Sequence, residues 1–181
     1  SAIEDLDTGQ ERVAELTASG WKVNDWLKQA VILYMLTKQR EIQEAGPITF
    51  YDRVPLKKNF KEADVRVVPP AVVRYGTFLQ KKVVLMAGYV NIGAYLDEGT
   101  MIDIGAAVGS CAQIGKYVHV SAGTVIGGVL EPLQAAPVII EDSVFIGSKC
   151  SIVEGVHVGS KAVIAANVTL TASTRIIDVT Q

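Results

Sequence analysis

The chain has 181 residues, 49% of them hydrophobic, enough for one substantial core or one core with a small appendage. Its 17 Lys and Arg nearly balance 19 Asp and Glu, and their dispersal along the chain argues against a nucleic-acid or charged-membrane partner. The apolar residues are too finely interrupted for a transmembrane helix, and no basic-then-apolar signal segment opens the chain.

Residues 1–65 carry local signals only and read as a small N-terminal α/β domain. A short helix is expected over 1–7. Arg12 to Leu16 and Trp21 to Val23 form a hairpin around Ala18-Ser19-Gly20. Asn24 or Asp25 caps a helix running to about Arg40, whose residues Trp26, Leu27, Ala30, Val31, Leu33 and Tyr34 recur at helical spacing; Trp26 is expected in the core. Gly46-Pro47 ends that region, and Pro69-Pro70 mark the entry to the next.

From Val72 onward the apolar pattern has a period of six. Val72, Phe78, Val84, Val90, Leu96, Ile102, Val108, Ile114, Val120 and Ile126 open the series, and Ile140, Ile146, Ile152, Val158, Ile164, Leu170 and Ile176 resume it. A smaller residue precedes most of them by two positions, as Ala94, Thr100, Ala106 and Cys150 do. Neither a helix nor an ordinary strand has this period; hexads are the mark of a parallel β-helix, here a left-handed one over 66–181, with three hexads per triangular coil. Glycines at the corners (Gly93, Gly109, Gly115, Gly127) suit positive φ or close backbone approach. The rhythm breaks near 127–139, which ejects a loop of about eight residues able to reach a neighbouring subunit. Cys150 falls at a packing position. Cys111 has no nearby His or basic cluster to activate it, and two free thiols fit a reducing cytoplasm.

Several strings within this frame are more specific than the repeat. GYVNIGAYLDEGTMID at 88–103, VGSCAQIG at 108–115 and IGGVLEPLQAAP at 126–137, with RVVPP at 66–70, YDRVP at 51–55 and WLKQA at 26–30, closely resemble the tetrahydrodipicolinate N-succinyltransferases of bacterial lysine biosynthesis. The resemblance covers nearly the whole chain. It implies a homotrimer of left-handed β-helices with active sites between subunits, and succinyl transfer from succinyl-CoA to the amine of the ring-opened keto-dicarboxylate. No metal is expected.

Acyl transfer from a thioester needs a deprotonated amine, a held oxyanion and an aligned acyl carrier. Asp103 follows inward Ile102 at a corner, where an aspartate is ordinarily a turn residue; by resemblance it is the family's substrate-binding, catalytically important aspartate. Arg66 matches the family's substrate arginine, whose guanidinium fork suits a dicarboxylate, and Arg74 is an alternative. Backbone amides at Gly127 and Gly128 are candidate oxyanion or pantetheine contacts.

The chain also departs from the family's pattern. Ile104-Gly105 replaces Thr-Trp beside Asp103, Ser151 stands where many members carry a catalytic glutamate, and Ala122 replaces a glycine. Family members continue past the position of Gln181 into structure that helps hold CoA. His119 and His157 should face outward, and at 38 residues apart they should not stack on one edge. A zinc site of the three-histidine kind lacks its third histidine. Two functions of different class follow: the succinyltransferase, with an N-acetyltransferase on the same substrate as a near rival, or a non-catalytic trimeric relative lacking the partner carboxylate and the CoA clamp. Ice binding would need outward Thr arrays, which are absent.

Overall fold

The residues ahead of the hexads fold from local signals. In the computed structural model, which describes residues 1–131, 133 and 136–180, α1 (Ala2–Thr8) ends at Gly9, whose φ of +75° suits glycine. A Cβ at Gly9 would lie 2.6 Å from the Phe78 ring, so this corner lets α1 sit directly on the solenoid. The hairpin β1 (Ala14–Thr17) and β2 (Gly20–Val23) is antiparallel, as the spacing predicts. The helix α2 (Asp25–Thr37) stops three residues short of Arg40, because Lys38 is already extended and leads into a second hairpin. That hairpin, β3 (Glu41–Ala45) and β4 (Ile48–Asp52), turns on Gly46-Pro47, so this dipeptide joins two strands rather than ending the region. Gly46 has φ +62°, which with proline's fixed φ matches a primed hairpin turn.

Trp26 is half exposed, at 50%, contrary to the core placement that helical spacing suggests. The buried stripe of α2 is narrower than its apolar content: Leu27 and Val31 pack with Ile3, Leu6, Val13 and Val54, while Trp26, Leu33 and Leu36 face out.

The hexads form a solenoid of three parallel sheets with six, six and five strands. The first face stacks β5 (Arg66–Val68), β8 (Val84–Met86), β11 (Met101–Ile102), β14 (His119–Val120), β17 (Phe145–Ile146) and β20 (Val163–Ile164). The second stacks β6 (Val72–Val73), β9 (Tyr89–Val90), β12 (Ala107–Val108), β15 (Val125–Ile126), β18 (Ser151–Ile152) and β21 (Thr169–Leu170). The third stacks β7 (Phe78–Leu79), β10 (Tyr95–Leu96), β13 (Gln113–Ile114), β16 (Ile139–Ile140) and β19 (His157–Val158). From Val90 to Ile152 the inward aliphatics are essentially inaccessible, and Ala94, Ala106, Ala112 and Cys150 fill the space beside them. Thr100 and Thr124 sit in the same small-residue positions and satisfy their hydroxyls on the Gly115 and Gly147 carbonyls.

The phase of the first coil differs from the periodic reading. Val73, Leu79 and Leu85 point inward, not Val72, Phe78 and Val84. Their partners on the next coil are Val90, Leu96 and Ile102, 17 residues on, whereas Ile102 and Val120 are 18 apart. One residue is missing from the corner after Leu85, where Ala87 adopts φ +52°. At the other end Ile176 is 82% exposed and continues no strand, so the inward series stops at Leu170.

The break near 127–139 lengthens one coil from 18 to 26 residues, since Ile126 pairs with Ile152. The ejected segment does more than project. Val129 and Leu130 are buried in the cluster that also holds Leu27, Val31 and the outward-pointing Ile92 and Cys111 of the solenoid. Pro132, Gln134 and Ala135, which the loop's proposed reach also involves, lie outside the described residues.

The N-terminal region covers the third face. Arg12 donates to Gln113 Oε1 at 3.1 Å and stacks 3.5 Å over the Tyr95 ring. Glu141 is the other anchor: it accepts from Trp21 Nε1 (3.2 Å), from the backbone N–H (2.9 Å) and hydroxyl (2.8 Å) of Ser160, and lies 2.8 Å from His157 Nε2. Hydrogen bonds from Ser160, His157 and Trp21 hold its carboxyl at about 2, below the usual 4.5. A carboxyl depressed on folding stabilises the fold above its unfolded value and loses that contribution as pH falls through the folded one. Glu141→Gln is therefore expected to lower stability at pH 7 by about 0.5–1.5 kcal/mol, since solvent at this surface site screens part of what the shift implies. In thermal melts from pH 7 to pH 2, the gap to wild type should close between about pH 4.5 and 2.

Candidate active site

Strand alternation decides which side chains the solenoid presents. On the first face Ile102 points in, so Met101 and the corner residue Asp103 point out, and the next coil presents His119 beside them. Asp103 Oδ1 accepts the Ile104 N–H at 2.7 Å, which fixes the carboxylate against its own turn. The second oxygen, Oδ2, lies 3.5 Å from His119 Nε2. Ile104 is exposed, and a side chain at Gly105 would meet nothing within 4 Å, so the ground beside this carboxylate is open.

Arg66 is exposed on the same face, two coils away, through the pairings of Arg66 with Val84 and of Val84 with Met101. Two coils at about 4.8 Å and two residues at about 3.3 Å put its Cα roughly 12 Å from that of Asp103. Arg74 occupies a different place, at the edge of the second face. Its guanidinium pairs with Asp52 Oδ2 at 2.6 Å and donates to Asn91 Oδ1 at 2.9 Å, so it ties β4 to the solenoid.

Arg74 also lines a cavity of about 270 Å³ with Met35, Asn91, Ser110, Gly128 and Glu131. Gly127 and Gly128 separate here. The Gly127 N–H donates to the Ile152 carbonyl at 2.8 Å and is spent in the ladder, whereas Gly128 lines the cavity beside Ser110. Gly109 makes this approach possible, because a Cβ there would lie 2.2 Å from the Gly128 nitrogen. The sequence-derived candidates thus fall into two groups, Asp103 with Arg66 on the first face and Arg74 with Gly128 at the far edge of the second.

Four other positions bear on the chemistry. Ser151 is on the second face, stacked between Val125 and Thr169. Glu154, three residues beyond Ser151, accepts the Ala172 N–H at a later corner. Cys111 is fully buried and burial pushes its thiol up to about 12, so it holds no thiolate at neutral pH. Cys150 is buried as packing and faces the Ala165 carbonyl. Among the described residues no group of His, Cys, Asp or Glu could hold a metal ion, and no helix is long and apolar enough to cross a membrane.

Comparison with known proteins gives the frame a family. Residues 1–36 match the "tetrahydrodipicolinate N-succinyltransferase N-terminal" family model, and residues 137–172 match the "hexapeptide repeat of succinyl-transferase" model. A 2,3,4,5-tetrahydropyridine-2,6-dicarboxylate N-succinyltransferase of Acinetobacter baylyi is 55% identical over 98% of this chain and 67% of its own length. Its counterpart in Dechloromonas aromatica is 50% identical over 98% and 68%. The chain belongs to the tetrahydrodipicolinate N-succinyltransferase family. A further succinyltransferase, from Bradyrhizobium diazoefficiens, is 54% identical over 97% of the chain, which spans about two thirds of the length of these relatives.

Within that family the contact between Asp103 and His119 was not legible from the hexad count. Residues 18 apart stack, and these two are 16 apart, so they meet on the diagonal of one face. The two histidines do face outward on different faces, His119 on the first and His157 on the third, as their spacing indicates.

Proposed function

We propose that this chain transfers a succinyl group from succinyl-CoA to the amine of ring-opened tetrahydrodipicolinate, in diaminopimelate and lysine biosynthesis, as a homotrimer. Family membership and the activity of these relatives supply the reaction. The observation that carries the site is the sharing of one outward face by Arg66 and a backbone-pinned Asp103, about 12 Å apart at the Cα atoms. That span suits a guanidinium holding one carboxylate of an extended seven-carbon dicarboxylate while the amine reaches Asp103.

The amine nitrogen attacks the thioester carbonyl carbon, the C–N bond forms and the C–S bond breaks. CoA leaves as thiolate, and the proton lost by nitrogen passes to Asp103. Open first and second faces, exposing Phe145, Val163, Tyr89 and Val125 while the third is covered, support neighbouring copies closing the site. Gly128, beside Arg74, is the candidate contact for the acyl carrier.

The test is thiol release with succinyl-CoA and acetyl-CoA in parallel, with and without an amino-oxopimelate acceptor. Acceptor-dependent release faster with succinyl-CoA supports the reading. Faster release with acetyl-CoA would make the chain an acetyltransferase, and no acceptor-dependent release would make it a non-catalytic relative. Arg66→Ala should raise KM for the acceptor at least tenfold with kcat little changed, the loss of a charge-assisted hydrogen bond of about 1.5–3 kcal/mol. An effect confined to the CoA substrate would remove Arg66 from the acceptor site.

A further inference from the structure

Asp103 alone would leave the amine proton on a carboxylate, a weaker base than the imidazole side chain suited to proton transfer near neutral pH. The structure puts an imidazole at that carboxylate. Asp103 Oδ1 is held by the Ile104 N–H, and the remaining oxygen faces His119 Nε2 at 3.5 Å. The imidazole is itself placed: β14 pairs with β11 and β17, and the Phe145 ring packs 5.4 Å from the His119 ring on the following coil.

We propose that His119 is the relay partner of Asp103, forming a carboxylate–imidazole dyad on the first face. The inference rests on the assignment of Asp103 to acyl transfer. The proton leaves the amine nitrogen for Asp103 Oδ2 and moves on to His119 Nε2. The N–H bond of the amine is broken, an N–H bond of the imidazolium is made, and Asp103 is returned as the anion that stabilises it. His119 acts through Asp103, so it is a positioning and relay residue. From the packed elements, β11 contributes Met101 and the corner carboxylate of Asp103, and β17 contributes Phe145. Among the described residues Asp103 is the one ion-pair partner of the ring.

The experiment compares wild type, His119→Asn, His119→Gln and Asp103→Asn in thiol release, from pH 5.5 to 9, at saturating succinyl-CoA and acceptor. The His119 variants are expected to lose about 10- to 100-fold in kcat at pH 7.5, with both KM values within threefold and melting temperatures within a few degrees of wild type. The acidic limb of kcat should move at least one pH unit lower, because imidazole protonation no longer limits turnover. Taking the ratio of variant to wild type cancels the substrate's own amine ionisation. A wild-type kcat and limb in both His119 variants, with Asp103→Asn inactive, would overturn the relay and leave the assignment of Asp103 standing. Near-normal turnover by Asp103→Asn would overturn the assignment itself. A loss carried by KM alone, or by a lowered melting temperature, would reduce His119 to a structural role.

Discussion

Asp103→Asn is expected to cut kcat about 10²- to 10⁴-fold, the range for removing a positioned acid–base group, while the fold is untouched. The substitution keeps the shape and leaves an oxygen able to accept the Ile104 N–H, so the corner is retained. It removes the charge that faces His119 and the capacity to take a proton from the amine. The measurement is steady-state thiol release at saturating substrates together with a melting curve and sedimentation velocity. A large drop in kcat with unchanged melting and oligomeric state meets the expectation; turnover within threefold of wild type would remove the carboxylate from the chemistry.

The second large effect is on stability. Ile114→Ala should destabilise by about 2–5 kcal/mol, since the side chain is fully buried and its truncation leaves a cavity in a close-packed core. Neighbouring coils hold β13 on both sides, through β10 and β16, and this limits how far the site can collapse. At about 2–4 °C per kcal/mol for a chain of this size, the midpoint should fall by roughly 4–20 °C. Ile164→Ala provides the contrast. Ile164 is only partly buried, in β20 at the end of its sheet, and its truncation should cost clearly less. Equal losses at the two positions would mean that the inward residues do not form a graded stack.

The solenoid is legible in the sequence because every strand contributes one aliphatic side chain to the interior, so burial imposes a period that composition alone does not produce. Its phase in the first coil is not legible. Val72-Val73, Phe78-Leu79 and Val84-Leu85 are apolar pairs, and a six-residue rhythm runs through either member. Only stacking against Val90, Leu96 and Ile102 selects the second. Trp26 misled for a related reason: helical spacing identifies an apolar face but not how much of it a neighbour covers.

The site divides in the same way. Asp103 and Arg66 are candidates through the resemblance of the strings around them, and their shared face follows from the coil register. Contacts off the stacking column were out of reach, as with the diagonal of Asp103 and His119 and the use of the Gly127 amide by the Ile152 carbonyl. Arg74, chemically equivalent to Arg66 in the sequence, proves to be tied to Asp52 and Asn91, partners contributed by β4 and by the following coil.

The most direct measurement is a crystal structure of the protein with CoA and the amino-oxopimelate acceptor bound together. The acceptor amine should lie within hydrogen-bond reach of Asp103, with a distal carboxylate on Arg66 and a neighbouring copy closing the face. An acceptor seated in the cavity beside Arg74 and Gly128, with Asp103 left in open solvent, would contradict the account.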